Sequence, residues 1–252
     1  MKKEIKNFIL RKLNINNCFQ GDDNYFFIYD KKNVFCHCCQ QSLITFIPFE
    51  GKSNILCPSC GSLSRHRMFA IFKEKHQDFF NKNLHILHIA PEKAVARLFR
   101  NKTNVNYVTG DLSPENYFPG TLKIDITDLH FEDNTFDLVI CNHVLEHVED
   151  DLTAMKQFHR VLKSSGMALL QVPIDMERQQ TYEDFSIVDP VEREKHFGQH
   201  DHVRIYGMDY LERLTNAGFD VETSTIFEHL SEDDLFKFQI QIDEPFMVAY
   251  KK

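Results

Sequence analysis

The chain has 252 residues, 42% of them hydrophobic, with 23 Phe, no Trp and a formal net charge of −8. That length holds one full α/β domain and a small extra module. The acidity argues against broad nucleic-acid or anionic-membrane binding and leaves room only for a local basic patch.

No apolar run approaches a membrane span, and the basic N-terminus has too short an apolar core, Phe8-Ile9-Leu10, for a signal peptide. A cytoplasmic location is expected. Ile5, Phe8, Ile9 and Leu13 form one stripe and predict a helix over residues 1–13. Residues 14–34 are irregular, with a strand expected at Tyr25–Tyr29.

Five of the seven Cys fall between Cys36 and Cys60. In a reducing compartment this reads as metal binding rather than disulfides. Cys36 and Cys39 make one C-x-x-C, Cys57 and Cys60 another, with 17 residues between the pairs. Two thiolates on each of two tight turns supply the four corners of a structural zinc site. Pro58 and Gly61 suit the second turn. A strand at Leu43–Ile47 between the turns predicts a zinc-ribbon-like module over residues 35–62. Cys38 and His37 remain rival ligands. Ser62 leads into a helix through Phe80, whose Arg65-His66-Arg67 cluster reads either as an anion site or as a solvated first turn.

Leu84–Ala90 predicts a first buried strand, followed by a Pro91-Glu92 turn and a helix over Lys93–Arg100. Val105–Thr109 predicts a second strand ending at Gly110-Asp111. Asp111 lies 21 residues past Ala90, near the spacing at which an acid closing a second strand meets a ribose diol. A carboxylate suits that role because it accepts two hydrogen bonds. Leu122–Ile124 predicts a third strand ending at Asp125-Ile126, an acid for an adenine amino group beside an apolar side chain for the ring. Phe136–Ile140 is a fourth buried strand that stops at Cys141-Asn142-His143. Val144, Leu145 and Val148 then resume at helical spacing, placing His143 and His147 on one helix face. Open α/β sheets bind ligands at such strand ends.

Asp151–Lys163 predicts a helix with Gly166 as its C-cap, and Met167–Val172 a fifth strand. Asp175–Arg204 is long, polar and aperiodic, as lids and binding loops are. It carries His196, His200, Asp201 and His202, which have metal-ligand chemistry and equally the chemistry of a base or a substrate-orienting pair. Met208–Thr215 reads as a helix, Phe219–Ile226 and Pro245–Tyr250 as strands.

Three segments in order, F-D-L-V-I-C-N-H-V-L-E-H-V, F-H-R-V-L-K-S-S-G-M-A-L-L-Q-V-P and R-L-T-N-A-G-F-D-V, resemble the class I S-adenosylmethionine-dependent methyltransferases of the type 11 family. The resemblance covers about residues 84–252. It implies a Rossmann-like α/β fold with a seven-stranded sheet whose last strand is antiparallel. Residues 1–34 would then be a helix and linker, 35–62 the zinc module, and 63–252 the methyltransferase domain with a lid over about 175–204. The implied cofactor-binding residues are His88, Ala90, Pro91, Glu92, Asp111, Leu112, Asp125, Ile126, Asn142 and His143. One departure is clear: Ala90-Pro91-Glu92 stands where the family has a glycine-rich loop, and proline there fixes the turn and removes a donor.

The implied reaction is in-line methyl transfer, in which alignment does most of the work. A base is needed only for a hydroxyl or protonated amine acceptor. His147, His200 and His202 are its candidates, and buried Cys141 is not a nucleophile. The acidic charge and histidine-rich lid favour a small-molecule or glycan-type acceptor. An RNA acceptor would need a basic face, for which Arg65, Arg67, Lys73 and Lys75 are the obvious cluster. A non-catalytic binding protein would be consistent with the Ala-Pro-Glu loop alone. The expected partners therefore include no membrane, and S-adenosylmethionine and a structural Zn2+ are the expected cofactors.

Overall fold

The computed structural model describes residues 17–21, 24–28, 34–49, 51–241 and 245–252, the first two segments as backbone only. The helix expected over residues 1–13 lies outside them. These residues form two compact units, one holding the chain up to Lys75, Lys93–Leu98 and Ile226–Gln241, the other His76–Glu92, Phe99–Thr225 and the C-terminal residues.

In the first unit, Asn17–Gly21 pairs antiparallel with Asn24–Ile28, Val34–Cys36 with Gln41–Leu43, and Ile47–Phe49 with Lys52–Leu56. The single strand expected at Leu43–Ile47 is thus divided between two hairpins: Cys36 and Cys39 lie at the turn of the first, and Cys57 and Cys60 follow the last strand of the second. The helix Ser64–Lys75 belongs to this unit. Its Arg67 is fully buried, with the guanidinium donating to the carbonyls of Ile55, Ser62, Phe238 and Gln239 at 2.7–3.0 Å. His66 is also buried, its Nδ1 accepting from the Leu63 amide at 3.0 Å. The Arg65-His66-Arg67 cluster is therefore largely an internal tie and no anion site, because burial removes two of its three side chains from solvent.

The second unit is built on seven strands: β1 Leu84–Ile89, β2 Val105–Asp111, β3 Leu122–Lys123, β4 Phe136–Cys141, β5 Leu162–Leu169, β6 Asp220–Thr223 and β7 Met247–Tyr250. Their order is β3-β2-β1-β4-β5-β7-β6. β1 to β5 pair in parallel, and β7 runs antiparallel to both β5 and β6. This is the seven-stranded α/β sheet with an antiparallel last strand that the resemblance implies. β1 and β4 are apolar along most of their length because both faces are covered, as central parallel strands require. Leu138 pairs with Ile86 and Cys141 with Ile89, so both strands stop at the same level. The strand order reverses between them, the position at which such sheets open a ligand crevice.

The helix Asp151–Val161 buries Ala154, Met155, Phe158 and Val161, and the Asp150 carboxylate caps it from the Thr153 amide at 3.0 Å. It ends two residues before the expected Lys163, and Leu162 already pairs with Phe136. The left-handed residue of the following bulge is Ser165, at φ 62°, rather than Gly166. Gly166 is required for a different reason: a Cβ there would sit 2.8 Å from the Lys163 carbonyl and 2.9 Å from Leu162 Cγ.

Two other segments differ from expectation. After β4 there is no α-helix: His143 is left-handed at φ 52° and Leu145–His147 form one 3-10 turn. His143 and His147 are brought together by that turn and share no helix face. The aperiodic segment 175–204 contains a helix, Pro190–Phe197, capped by Asp189 and stopped by Gly198 at φ 84°. Only Phe197 of this helix is buried, so it leaves no apolar stripe for periodicity to reveal. Tyr182–Glu183 pairs antiparallel with Arg204–Ile205 and closes the segment. Among the described residues no helix is long and apolar enough to cross a membrane.

Gly166→Ala is expected to lower stability by about 1–3 kcal/mol, the usual cost of forcing a methyl into packed backbone. Urea unfolding would show this as a reduced midpoint at unchanged slope.

Candidate cofactor site and cysteine cluster

At the carboxyl ends of β1, β2 and β4 the second unit opens a cavity of about 420 Å³. Its lining includes Ile89 and Ala90 from β1, Asp111, Leu112 and Tyr117 from β2 and the turn after it, and Ile124 and Ile126 beyond β3. His143, Val144, His147 and Val148 close it after β4, with Asp201 across from them. Of the residues the resemblance implies for cofactor, Ala90, Asp111, Leu112, Ile126 and His143 therefore stand on the cavity wall.

The departure at Ala90-Pro91-Glu92 has a structural answer. Ala90 takes φ 48°, the left-handed conformation that favours glycine, and its amide donates to the Gly110 carbonyl at 2.9 Å. His143, on the facing strand end, is also left-handed, and its amide donates to the Gln171 carbonyl at 2.8 Å. Two non-glycine residues in this region on one wall are the backbone outliers that cluster at functional sites. Glu92 accepts from Asn142 Nδ2 at 3.1 Å, which ties the loop after β1 to the end of β4. Asn142 Oδ1 is buried and has no hydrogen-bond partner.

Gly110 is the contact point between β2 and the residues beyond β3. A Cβ on it would lie 2.2 Å from Ile124 Cδ1, so glycine lets Ile124 form the cavity floor. Asp111 follows and accepts from the Ser113 amide at 2.8 Å. Tyr117 stands beside it, its hydroxyl pKa pushed up to about 12, first by burial and then by the Asp111 carboxylate. Asp125 is exposed. Its Oδ1 accepts from the amide and hydroxyl of Thr127, and these bonds hold its carboxyl below the usual range.

His88 and Pro91 are not on the wall. His88 is fully buried, with Nδ1 2.6 Å from the Tyr107 hydroxyl, and Pro91 is buried beneath the loop. His200 is exposed and also off the wall. Cys141 is fully buried, and burial pushes its thiol pKa well up, so it stays unionised.

His147 and His202 meet edge to face with ring centroids 4.7 Å apart. Burial, then the neighbouring His147, lowers the His202 pKa and keeps that ring neutral. His147 Nδ1 lies 3.4 Å from the Asp201 carboxylate, and His143 Nδ1 lies 3.4 Å from Glu146 Oε1. Asp201 belongs to the histidine-rich lid group the sequence singled out, whereas Tyr117 and Glu146 were not among the expected site residues. Tyr117 comes from an irregular segment and Glu146 from a turn read as helix, so no periodicity marked them.

What holds this group together is a buried ion network. Arg204, 1% exposed, donates to the Leu145 and Glu149 carbonyls at 2.8 Å and also to the Val148 carbonyl. Its Nε donates to Glu183 at 2.9 Å. Arg213 donates to both oxygens of Asp151 and to Glu183, and the Tyr206 hydroxyl donates to Asp151 at 2.7 Å. Burial alone would raise the Glu183 pKa, but Arg213 and Arg204 hold it below the usual carboxylate range.

In the first unit, Cys36, Cys39, Cys57 and Cys60 place their sulfurs within 4.8 Å of one another. Cys36 Sγ lies 3.7 Å from Cys60 Sγ, and Cys39 Sγ 3.9 Å from Cys57 Sγ, too far for disulfides. Zn–S bonds of about 2.3 Å set tetrahedral edges of about 3.8 Å, so the donor set fits a four-thiolate zinc. Gln40 and Gly61, each just past the second cysteine of its pair, take φ 57° and 72°. The amide of Gln40 donates back to Cys36 and that of Gly61 to Cys57, closing equivalent turns. Hydrogen bonding from Cys38, Cys57 and Cys60 lowers the pKa of Cys36, while the same contact raises that of Cys57. Four such thiols cannot ionise together without a cation. Cys38 is buried beside the four without joining them, and His37 is paired with Glu74 at 2.8 Å.

Residues 84–170 match the family model described as methyltransferase domain. The match runs from the start of β1 to just past β5 and contains every strand end on the cavity except the Asp201 side. The protein MJ0638 of Methanocaldococcus jannaschii is 40% identical over 65 residues, which are 25% of this chain and 28% of that one. Demethylmenaquinone methyltransferase of Staphylococcus epidermidis is 47% identical over 45 residues, 18% of this chain and 19% of that one. The chain thus spans under a third of the length of these relatives. Among solved structures, Haemonchus contortus phosphoethanolamine N-methyltransferase 2 in complex with S-adenosyl-L-methionine aligns with 76% of this chain and 53% of its own at 16% identity and a TM-score of 0.46.

Arg204→Met is expected to destabilise the protein by about 3 kcal/mol, the low end for removing one partner from a buried ion pair because Arg213 remains. Thermal and urea unfolding would measure it.

Proposed function

We propose that the chain is an S-adenosylmethionine-dependent methyltransferase acting on a small-molecule or glycan-type acceptor. The observation that carries this reading is the cavity at the switch point, with Asp111 closing β2 and left-handed Ala90 and His143 on its two central strand ends. Asp111 would accept from the ribose diol, and Ile126 would pack on the adenine with the Asp125 carboxylate beside it. Leu112 would cover the outer ring face. Ala90, Asn142 and His143 would line the methionyl side, and Glu92, oriented by Asn142, would face its ammonium group.

The cofactor brings an activated methyl on its sulfonium, so the protein's task is alignment of the acceptor. His147, Val144 and Val148 bound the remaining space, with His202 buried behind His147. His200 is the least suited of the three expected histidines because it is exposed and off the wall. Burial of Arg67 removes the centre of the basic cluster on which an RNA acceptor would rely, and the net charge of −8 points the same way.

The cysteine cluster supports a structural zinc with Cys36, Cys39, Cys57 and Cys60 as ligands. Metal analysis is expected to find one tightly held zinc per chain, removed by Cys57→Ser. A metal-free chain that melts at the same temperature as the zinc-loaded one would overturn this assignment.

Calorimetry with S-adenosylmethionine is expected to show one site. Asp111→Asn should weaken it at least tenfold, or about 1.4 kcal/mol. Absence of binding to the zinc-loaded wild type would sink the methyltransferase reading. Unchanged affinity in Asp111→Asn would remove Asp111 from the ribose.

A further inference from the structure

Glu146 is 2% exposed, and its Oε2 has no hydrogen-bond partner. Its Oε1 lies 3.4 Å from His143 Nδ1. A buried carboxylate oxygen without a donor is costly, and buried charges are normally paired or metal-bound. Two imidazoles stand beside it: the ligand atoms of Glu146, His147 and His202 lie within 4.8 Å of one another. Metal–ligand bonds of about 2.1 Å bring such atoms to roughly 3–3.5 Å. Rotation of His147, whose side chain is 31% exposed, supplies that closure.

The surroundings suit an ion as well. His147 Nδ1 faces the Asp201 carboxylate at 3.4 Å and the Asp201 carbonyl at 3.3 Å, which leaves Nε2 as the basic nitrogen. A carboxylate on the non-ligating nitrogen is the usual second partner of a metal-bound histidine. The frame is rigid: the Val203 amide donates to the Glu146 carbonyl at 3.0 Å, and Arg204 clamps the carbonyls on either side of Glu146 and His147.

We infer that Glu146, His147 and His202 bind a divalent transition-metal ion at the edge of the cavity. Two imidazoles and one carboxylate suit Zn2+, Mn2+, Fe2+ or Co2+. Three protein ligands leave coordination positions open, and of the three His147 lines the cavity, so a position beside it would face that space. Resting on the methyltransferase reading, this names the acceptor class: a hydroxyl or phenol whose oxygen the ion binds and acidifies. The oxygen releases its proton to water and attacks the methyl carbon. A C–O bond forms as the C–S bond breaks, and its electron pair returns to sulfur, leaving a neutral thioether. His147 is then a ligand and not the base.

The test uses the full chain with its cysteine site loaded with zinc, titrated with Mn2+ while the free-ion paramagnetic resonance signal is recorded. One Mn2+ per chain is expected. Glu146→Gln and His147→Ala should each weaken it at least tenfold, and His130→Ala, whose side chain is 88% exposed, should leave it unchanged. Circular dichroism separates misfolding of Glu146→Gln from ligand loss, and the partly exposed His147 provides the independent variant. Acetohydroxamate, an oxygen chelator, should lower the water-proton relaxation of the bound ion by displacing its water. No stoichiometric Mn2+ binding, or equal affinity in both variants, overturns the site; no response to acetohydroxamate overturns the oxygen-acceptor assignment. Mn2+ binding without calorimetric binding of S-adenosylmethionine would keep the ion and discard the methyltransferase reading.

Discussion

The buried guanidinium of Arg204 is the constraint on which the candidate site depends. A charge taken out of water needs partners on every side, and here they come from two separate stretches of chain. Three are backbone carbonyls of the turn after β4, at Leu145, Val148 and Glu149, and another is Glu183 on the neighbouring short strand. That turn is a single 3-10 turn, and the carbonyls at Val148 and Glu149 lie past its end. Arg204 donates to them. In doing so it fixes Glu146 and His147 against His202, two residues before it in the chain. Arg213, Asp151 and Tyr206 extend the same network into the core, so the position of the turn is coupled to the packing of helix Asp151–Val161.

The cavity itself is a consequence of strand order. β1 and β4 end at the same level and their following segments diverge, which no side-chain choice can prevent. The particular residues decide how the gap is lined. Ala90 and His143 accept left-handed backbone where glycine would be unstrained, and each is held by a hydrogen bond from its amide, Ala90's to Gly110 of β2 and His143's to Gln171 just past β5. Pro91 fixes the chain direction immediately after Ala90. Gly110 works in the opposite sense, keeping its own place empty so that Ile124 can form the floor.

Much of this was legible in the chain. The central strands announce themselves because burial on both faces demands continuous apolar runs, and β1, β2 and β4 lie where those runs are. Asp111 closes β2 on the cavity as its strand predicts, whereas β3 stops at Lys123 and leaves Asp125 exposed and off the wall. The paired cysteines were identifiable because tetrahedral ligation restricts spacing. Helix Pro190–Phe197 was not, since it buries one residue and carries no stripe. The bulge at Ser165 was hidden by Gly166, whose role is close packing rather than a left-handed turn.

The sequence by itself determined the strand cores, the acid closing β2 and the cysteine pairs, because each rests on a local rule of burial, turn chemistry or ligand spacing. Only the tertiary structure decided which polar groups meet. Glu146, His147 and His202 span 57 residues of chain and are joined by a buried arginine three of whose partners are backbone carbonyls, groups that every residue carries and no sequence pattern distinguishes. The same holds for Glu92 and Asn142, and for Tyr117 beside Asp111: their contacts are set by sheet order and loop path, not by spacing.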